Sequence, residues 1–92
     1  MQYEWHPAKD VENRRKHKLS LADGIAALED PDAESWIDIR FEYGEEGLIT
    51  LRRNHARILF VVTTELAADR TRIISVRRAE KHEELWYYEG HP

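Results

Sequence analysis

The stretch Ile58 to Thr64 reads Ile-Leu-Phe-Val-Val-Thr-Thr, seven uncharged residues of which five are β-branched. Such a run suits a central strand of a sheet. A chain of 92 residues built around it has room for one core. No internal repeat, low-complexity tract or Pro/Gly/Ser-rich linker divides it, so residues 1–92 are expected to form a single domain.

The flanking segments change period. Trp36, Asp38 and Arg40 alternate with Ile37, Ile39 and Phe41, the pattern of a half-buried strand. Tyr43-Gly44-Glu45-Glu46-Gly47 reads as a turn. Leu48, Thr50 and Arg52 then alternate with Ile49, Leu51 and Arg53. Asn54-His55 gives a tight connection into the central strand. Residues 65–70 are expected to turn, and Thr71 to Val76 to form the fourth main strand. Connections this short imply an antiparallel meander. Gln2 to Trp5 offers a short extra strand. A helix is expected over 7–17, because Pro7 in its first position forfeits no hydrogen bond. Ser20 and Asp23 resemble a weakened capping box for a second helix over 21–29, stopped by Asp30-Pro31-Asp32. From Arg78 the period is helical again, with Ala79, His82, Leu85 and Trp86 sharing a face that Tyr88 extends. Helices on one side of an antiparallel sheet make an α+β sandwich.

Composition removes several classes of function. Without cysteine there is no disulfide scaffold, thiolate zinc site or cysteine nucleophile. Three Trp, four Tyr and two Phe are too many for a disordered chain. The longest apolar run, Ile58 to Val62, is too short to span a membrane, and Met1-Gln2-Tyr3-Glu4-Trp5 is no signal peptide. A soluble, cytoplasmic protein without membrane contact is expected. The net charge of −4 argues against nucleic-acid binding by bulk charge. It hides a partition, however. Residues 9–18 carry five basic and two acidic side chains, 29–46 eight acidic and one basic, and 52–81 eight basic and three acidic. A local basic cleft forms if the two basic blocks meet.

Two constellations could carry chemistry. Lys9, Asn13 and His17 recur every four residues on one helix face, with Lys16 at its border. A cation, an amide and an imidazole together suit a phosphate or a ribose. The bland alternative is an Asn and a His that bridge to a neighbouring loop. The second is Arg70-Thr71-Arg72-Ile73-Ile74-Ser75-Val76-Arg77-Arg78, a strand ending in arginines whose planar forks fit phosphate. Here the alternative is pairing of Arg72 and Arg77 with the acids of 29–46. Glu45 and Glu65, at predicted strand ends, are candidate bases. His82-Glu83-Glu84 lacks the second His of a zinc-protease motif, and neither metal nor cofactor is expected.

In this order the pieces resemble the BrnT family of type II toxin–antitoxin toxins. The matching stretches are Glu4-Trp5-His6-Pro7-Ala8-Lys9, Asn13-Arg14-Arg15-Lys16-His17, Asp30-Pro31, Tyr43-Gly44-Glu45, Leu59-Phe60-Val61-Val62 and Arg72-Ile73-Ile74-Ser75-Val76-Arg77. The resemblance implies a RelE/ParE-like fold, with two N-terminal helices and one C-terminal helix on a mainly antiparallel four-stranded sheet. It implies a bacterial endoribonuclease that inhibits translation and arrests growth. Its partner would be a BrnA-like antitoxin, two toxins with two antitoxins, with operator DNA reached only through the antitoxin. RNA cleavage without metal would use the substrate's own 2′-OH as nucleophile. His17 would be the acid/base group, with Glu45 or Glu65 the alternative base. Arg72, Arg77 and Lys16 would carry phosphate charge, and Lys9, Asn13 and Arg78 would contact RNA. The chain departs from the family where Gly47 and Leu66 replace usual arginines, where Lys18 replaces a usual glycine, and where Arg52 and Arg53 fill a region that often holds a glycine. The missing cations keep a second reading open: an inactive toxin-like module that binds an antitoxin as co-repressor.

Overall fold

The computed structural model describes residues 1–38 and 47–92. Strand β1 (Gln2–Glu4) leads into helix α1 (Pro7–His17). A 3-10 turn (Leu21–Gly24) runs directly into the short helix α2 (Ile25–Leu28). Strands β2 (Glu34–Asp38), β3 (Gly47–Asn54), β4 (Arg57–Ala67) and β5 (Arg70–Arg78) follow, and helix α3 (Lys81–Glu89) closes the series. The sheet has five strands in the order β1-β5-β4-β3-β2. The last four pair antiparallel as a meander. The extra strand β1 lies parallel to β5, with Glu4 opposite Arg72 as its last pair.

The central run is buried as its composition requires. Its side chains split between two cores. Leu59 and Val61 meet Leu21, Ala27, Ile73 and Val76 on one face. Ile58, Phe60 and Val62 meet Ile49 and Leu51 on the other, where Trp36, Trp86 and Tyr87 close the cluster. Helices therefore cover both faces, α1 and α2 one and α3 the other, not a single side as the sequence suggests.

Four other expectations are corrected. The helix over 21–29 is split, its first turn wound as 3-10. The Ser20–Asp23 capping box does form, through Asp23 N–H to Ser20 Oγ at 3.2 Å and Ser20 N–H to Asp23 Oδ2 at 2.8 Å. Gly24 presses directly on the sheet: a Cβ there would lie 2.9 Å from Val76 Cγ2 and 3.0 Å from Val61 Cγ1. Strand β4 runs three residues past Thr64, into the expected turn, and shifts register between Glu65 and Ala67. Strand β2 begins earlier than its apolar pattern and turns that pattern over. Trp36, opposite Ile49, joins a core, while Ile37 is exposed. Ile39, Arg40 and Phe41, and the turn from Tyr43 to Glu46, lie outside the described residues.

Helix α3 starts three residues later than expected and is rotated. Ala79 N–H still bonds Ile58 carbonyl at 2.8 Å, which prolongs the sheet. Glu80 and Glu83 then form a capping box. Glu83, Trp86 and Tyr87 turn inward, whereas His82, Leu85 and Tyr88 are exposed. A polar anchor at Glu83, not the apolar stripe, sets the rotation.

Candidate functional site

Helix α1 is held by two polar residues one turn apart. Asn13 is buried, 5% exposed. Its Oδ1 accepts from Val76 N–H at 3.1 Å, and its Nδ2 donates to the Val76 and Leu19 carbonyls at 2.8 Å each. The amide thus replaces a neighbouring strand along the edge of β5 beyond the end of β1. Asp10 fixes the following loop, accepting from Leu21 N–H at 2.8 Å, and takes Arg14 at 3.0 Å. Asn13 therefore docks the helix, as the bland alternative held.

This docking sets the rest of the basic face against the end of β5. A groove of about 380 Å³ is lined by Lys9, Glu12, Lys16, His17 and Ser75 among others. An open cleft of about 810 Å³ adjoins it, lined by Lys16, His17, Lys18, Arg77, Arg78 and Glu80. Lys16 and His17 belong to both, so the two basic blocks do meet. In the β5 ladder Ser75 pairs with Val62 and Ile73 with Thr63, leaving Ile74 as an extra residue between them. Such a bulge bends a strand locally and re-aims its side chains.

The half-buried His17 has its pKa pushed below the usual 6.5, by desolvation first and then by the positive charges of Arg77 and Lys16. Its imidazole is therefore neutral at pH 7 and able to take up a proton. Lys16 reaches Glu12 at 2.9 Å along the helix. Lys18 ends α1 with φ 59°, the left-handed region, and donates its backbone N–H to Arg14 carbonyl. Arg77 lies 4.0 Å over the Phe60 ring. Its fork donates to both Glu83 oxygens, at 2.7 and 2.8 Å. Burial raises the Glu83 pKa, but the Arg77 hydrogen bonds, the Glu80 N–H and the Arg77 charge outweigh it and hold the carboxyl below its usual range.

Other candidates lie elsewhere. Arg72 pairs with Glu4 at 3.2 Å and stands about 17 Å along the strand from Arg77. Neither arginine takes a partner from the acids of 29–46 among the described residues; Arg52 does, reaching Asp30 at 2.6 Å. Glu65 lines a different groove, opposite Thr71, about 20 Å from the Arg77 end of β5. Glu45 lies outside the described residues. Among the described residues no group of three His, Asp or Glu side chains could hold a metal ion, and no helix is long and apolar enough to cross a membrane.

Sequence reading missed Glu83 and Lys18. The signal for Glu83 was its spacing three residues after Glu80, a capping-box interval masked by comparison with a zinc motif. For Lys18 it was the break in helical pattern before Leu19.

Comparison with known proteins bears on this geometry. The sequence model of one family, described as the ribonuclease toxin BrnT of type II toxin–antitoxin systems, matches residues 5–83. No curated protein gives a significant sequence match. Among solved structures, the crystal structure of the Brucella abortus ribonuclease toxin BrnT is similar, with a TM-score of 0.64 and 21% identity over 88% of this chain and 99% of that one. That likeness shows the shared fold, while the family match spans both halves of the basic cleft. The chain belongs to the BrnT family of ribonuclease toxins of type II toxin–antitoxin systems.

Proposed function

We propose that this chain is a metal-independent endoribonuclease that cuts RNA by 2′-OH attack, arrests growth and is neutralised by a BrnA-like antitoxin. The observation that supports it is the placing of a neutral imidazole, His17, in a cleft with Lys16, Lys18, Arg77 and Arg78. His17 accepts the 2′-OH proton as the oxygen attacks phosphorus. Lys16, which lines both cavities with it, supplies a proton to the leaving 5′-oxygen. Arg78 and Lys18 draw the phosphate in. Arg77, its fork taken by Glu83, contributes fixed positive charge for the pentavalent phosphate.

The test is cleavage of RNA by the purified chain in EDTA, with the new ends analysed. The products expected are a 2′,3′-cyclic phosphate and a 5′-hydroxyl. His17→Ala should slow cleavage about 10²–10³-fold, the usual effect of removing one group that acts in the transition state, with the fold intact. The acid-side midpoint of the rate profile should lie below pH 6.5, since a base must be deprotonated and His17 has its pKa lowered. A wild-type rate in the folded variant would remove His17 from this role. A folded wild type that cuts no RNA would favour the partner-binding module, a reading supported by the commitment of Arg72 to Glu4 and of Arg77 to Glu83.

A further inference from the structure

The edge of the sheet opposite the cleft is β2. It pairs with β3 alone, so its outer side has no strand partner among the described residues. Natural edge strands are commonly blunted by charge, proline or a cover. Here Ile37, on the face that α1 and α2 cover, is 58% exposed. On that same face lies a groove of about 470 Å³ between Tyr3, Leu28 and Leu48, floored by Ser35 and Thr50. Among the described residues no Lys or Arg lines it, and Glu65 does. Glu29 stands beside it, accepting from the Tyr3 hydroxyl at 3.2 Å, and Asp32 is exposed on the approach to β2. Among the described residues the place thus combines an unpaired backbone edge, an apolar strip and a carboxylate rim.

We propose that this edge and groove receive an extended, basic segment of the antitoxin, which adds a strand along β2. Its alternate apolar side chains fall beside Ile37 and Leu48, and its Lys or Arg side chains face Glu29, Asp32 and Glu65. The inference rests on membership of a type II toxin family, which implies an antitoxin partner, and not on RNA cleavage. Main-chain hydrogen bonds supply affinity in such strand addition, and side-chain pockets supply specificity. The carboxylates would repel RNA. A second copy is disfavoured as well, because β2 paired antiparallel with itself about Trp36 sets Glu34 of one chain opposite Asp38 of the other. The groove reaches Thr63 of β4 and Thr71 of β5, but Thr71 stands about 20 Å along the strand from Arg77, so a segment seated here leaves the basic cleft uncovered.

The probe is the antitoxin encoded beside this chain, co-expressed and co-purified with it, and then titrated as a purified pair. Ile37→Asp changes an exposed side chain, so its unfolding midpoint should match wild type while its affinity falls at least tenfold. The double variant Glu29→Lys/Asp32→Lys should also bind more weakly, with a shallower dependence on salt. Amide NMR of the labelled chain, with unlabelled antitoxin added, should shift Glu34–Asp38, Leu28 and Leu48. Wild-type affinity in Ile37→Asp, or amide shifts confined to residues 16–18 and 77–78, would overturn the assignment. If wild type captures no antitoxin, this surface falls with the partnership, while the cleavage reading, measured without antitoxin, stands or fails separately.

Discussion

Helices α1 and α3 lie on opposite faces of one sheet, and each is fastened by one buried polar side chain. In α1 it is Asn13, a neutral amide spent on the backbone of β5 and the following loop. In α3 it is Glu83, a carboxylate spent on a single arginine and on its own helix cap. The amide fixes a helix to a strand edge and leaves its neighbours Lys16 and His17 directed outward. The carboxylate fixes a helix and, in the same act, takes up the fork of Arg77. One anchor builds the cleft; the other restrains a charge inside it. They also differ in chemistry, since an amide does not titrate and a carboxylate does.

The larger break should come from the charged anchor. The Glu83 side chain is 4% exposed and that of Arg77 21%. Removing one partner of a buried pair strands the other charge, a loss typically of 3–5 kcal/mol. Because Arg77 keeps some water, Glu83→Gln should cost about 3 kcal/mol in urea unfolding. The pH dependence separates this from simple loss of packing. The folded Glu83 pKa lies below its usual 4.5, so its contribution is complete above that value and is lost as pH falls through the folded value. Wild type should therefore lose more stability than Glu83→Gln between pH 5 and the acid limit. Parallel curves for the two proteins would show that the pair adds nothing.

Breaking the neutral anchor should cost less. Asn13→Ala leaves the N–H and carbonyl of Val76 without their partner at a buried place. A stranded buried group costs about 1–3 kcal/mol, and partial entry of water favours the low end, so about 2 kcal/mol is expected in total. The loss should be the same at pH 4 as at pH 7, in contrast to Glu83→Gln. Asn13→Asp keeps the acceptor and removes the donor, so it should not rescue stability. If it does, the bonds to the two carbonyls carry little.

The same contrast explains what was legible in the sequence. The central strand, the meander and α1 follow from local pattern: apolar runs, period-two alternation and Pro7 at a helix start. The meeting of Lys16 and His17 with Arg77 was open to a reader only as two basic blocks, because joining them needs the register of β1 on β5 and the reach of Asn13. The inward turn of α3 was not legible from apolar spacing, which favours Leu85 over Glu83. The pairing of Glu83 with Arg77 reverses that preference, as a buried charge with a bidentate partner outweighs one exposed leucine. Ile37 misleads in the same way. Its alternation partner Trp36 offers more area to bury, and the strand follows the larger side chain.

The smallest effect expected should have the opposite sign. Both helices end in the left-handed region, α3 with Gly90 at φ 79° and α1 with Lys18 at φ 59°. Glycine takes that conformation freely, whereas an L side chain is strained there by about 1 kcal/mol. Lys18→Gly should therefore raise stability by about 1 kcal/mol, or about 4–8 °C in Tm for a domain of this size. It gives up only an exposed bond from Lys18 Nζ to Arg15 carbonyl at 3.1 Å. It also removes a cation from the cleft, so RNA affinity should fall and its salt dependence become shallower. Higher Tm with weaker RNA binding would mean that α1 keeps a strained cap for the sake of its charge. Higher Tm with unchanged binding would make Lys18 a bystander, and the cleft would then depend on Lys16, Arg77 and Arg78 for its positive charge.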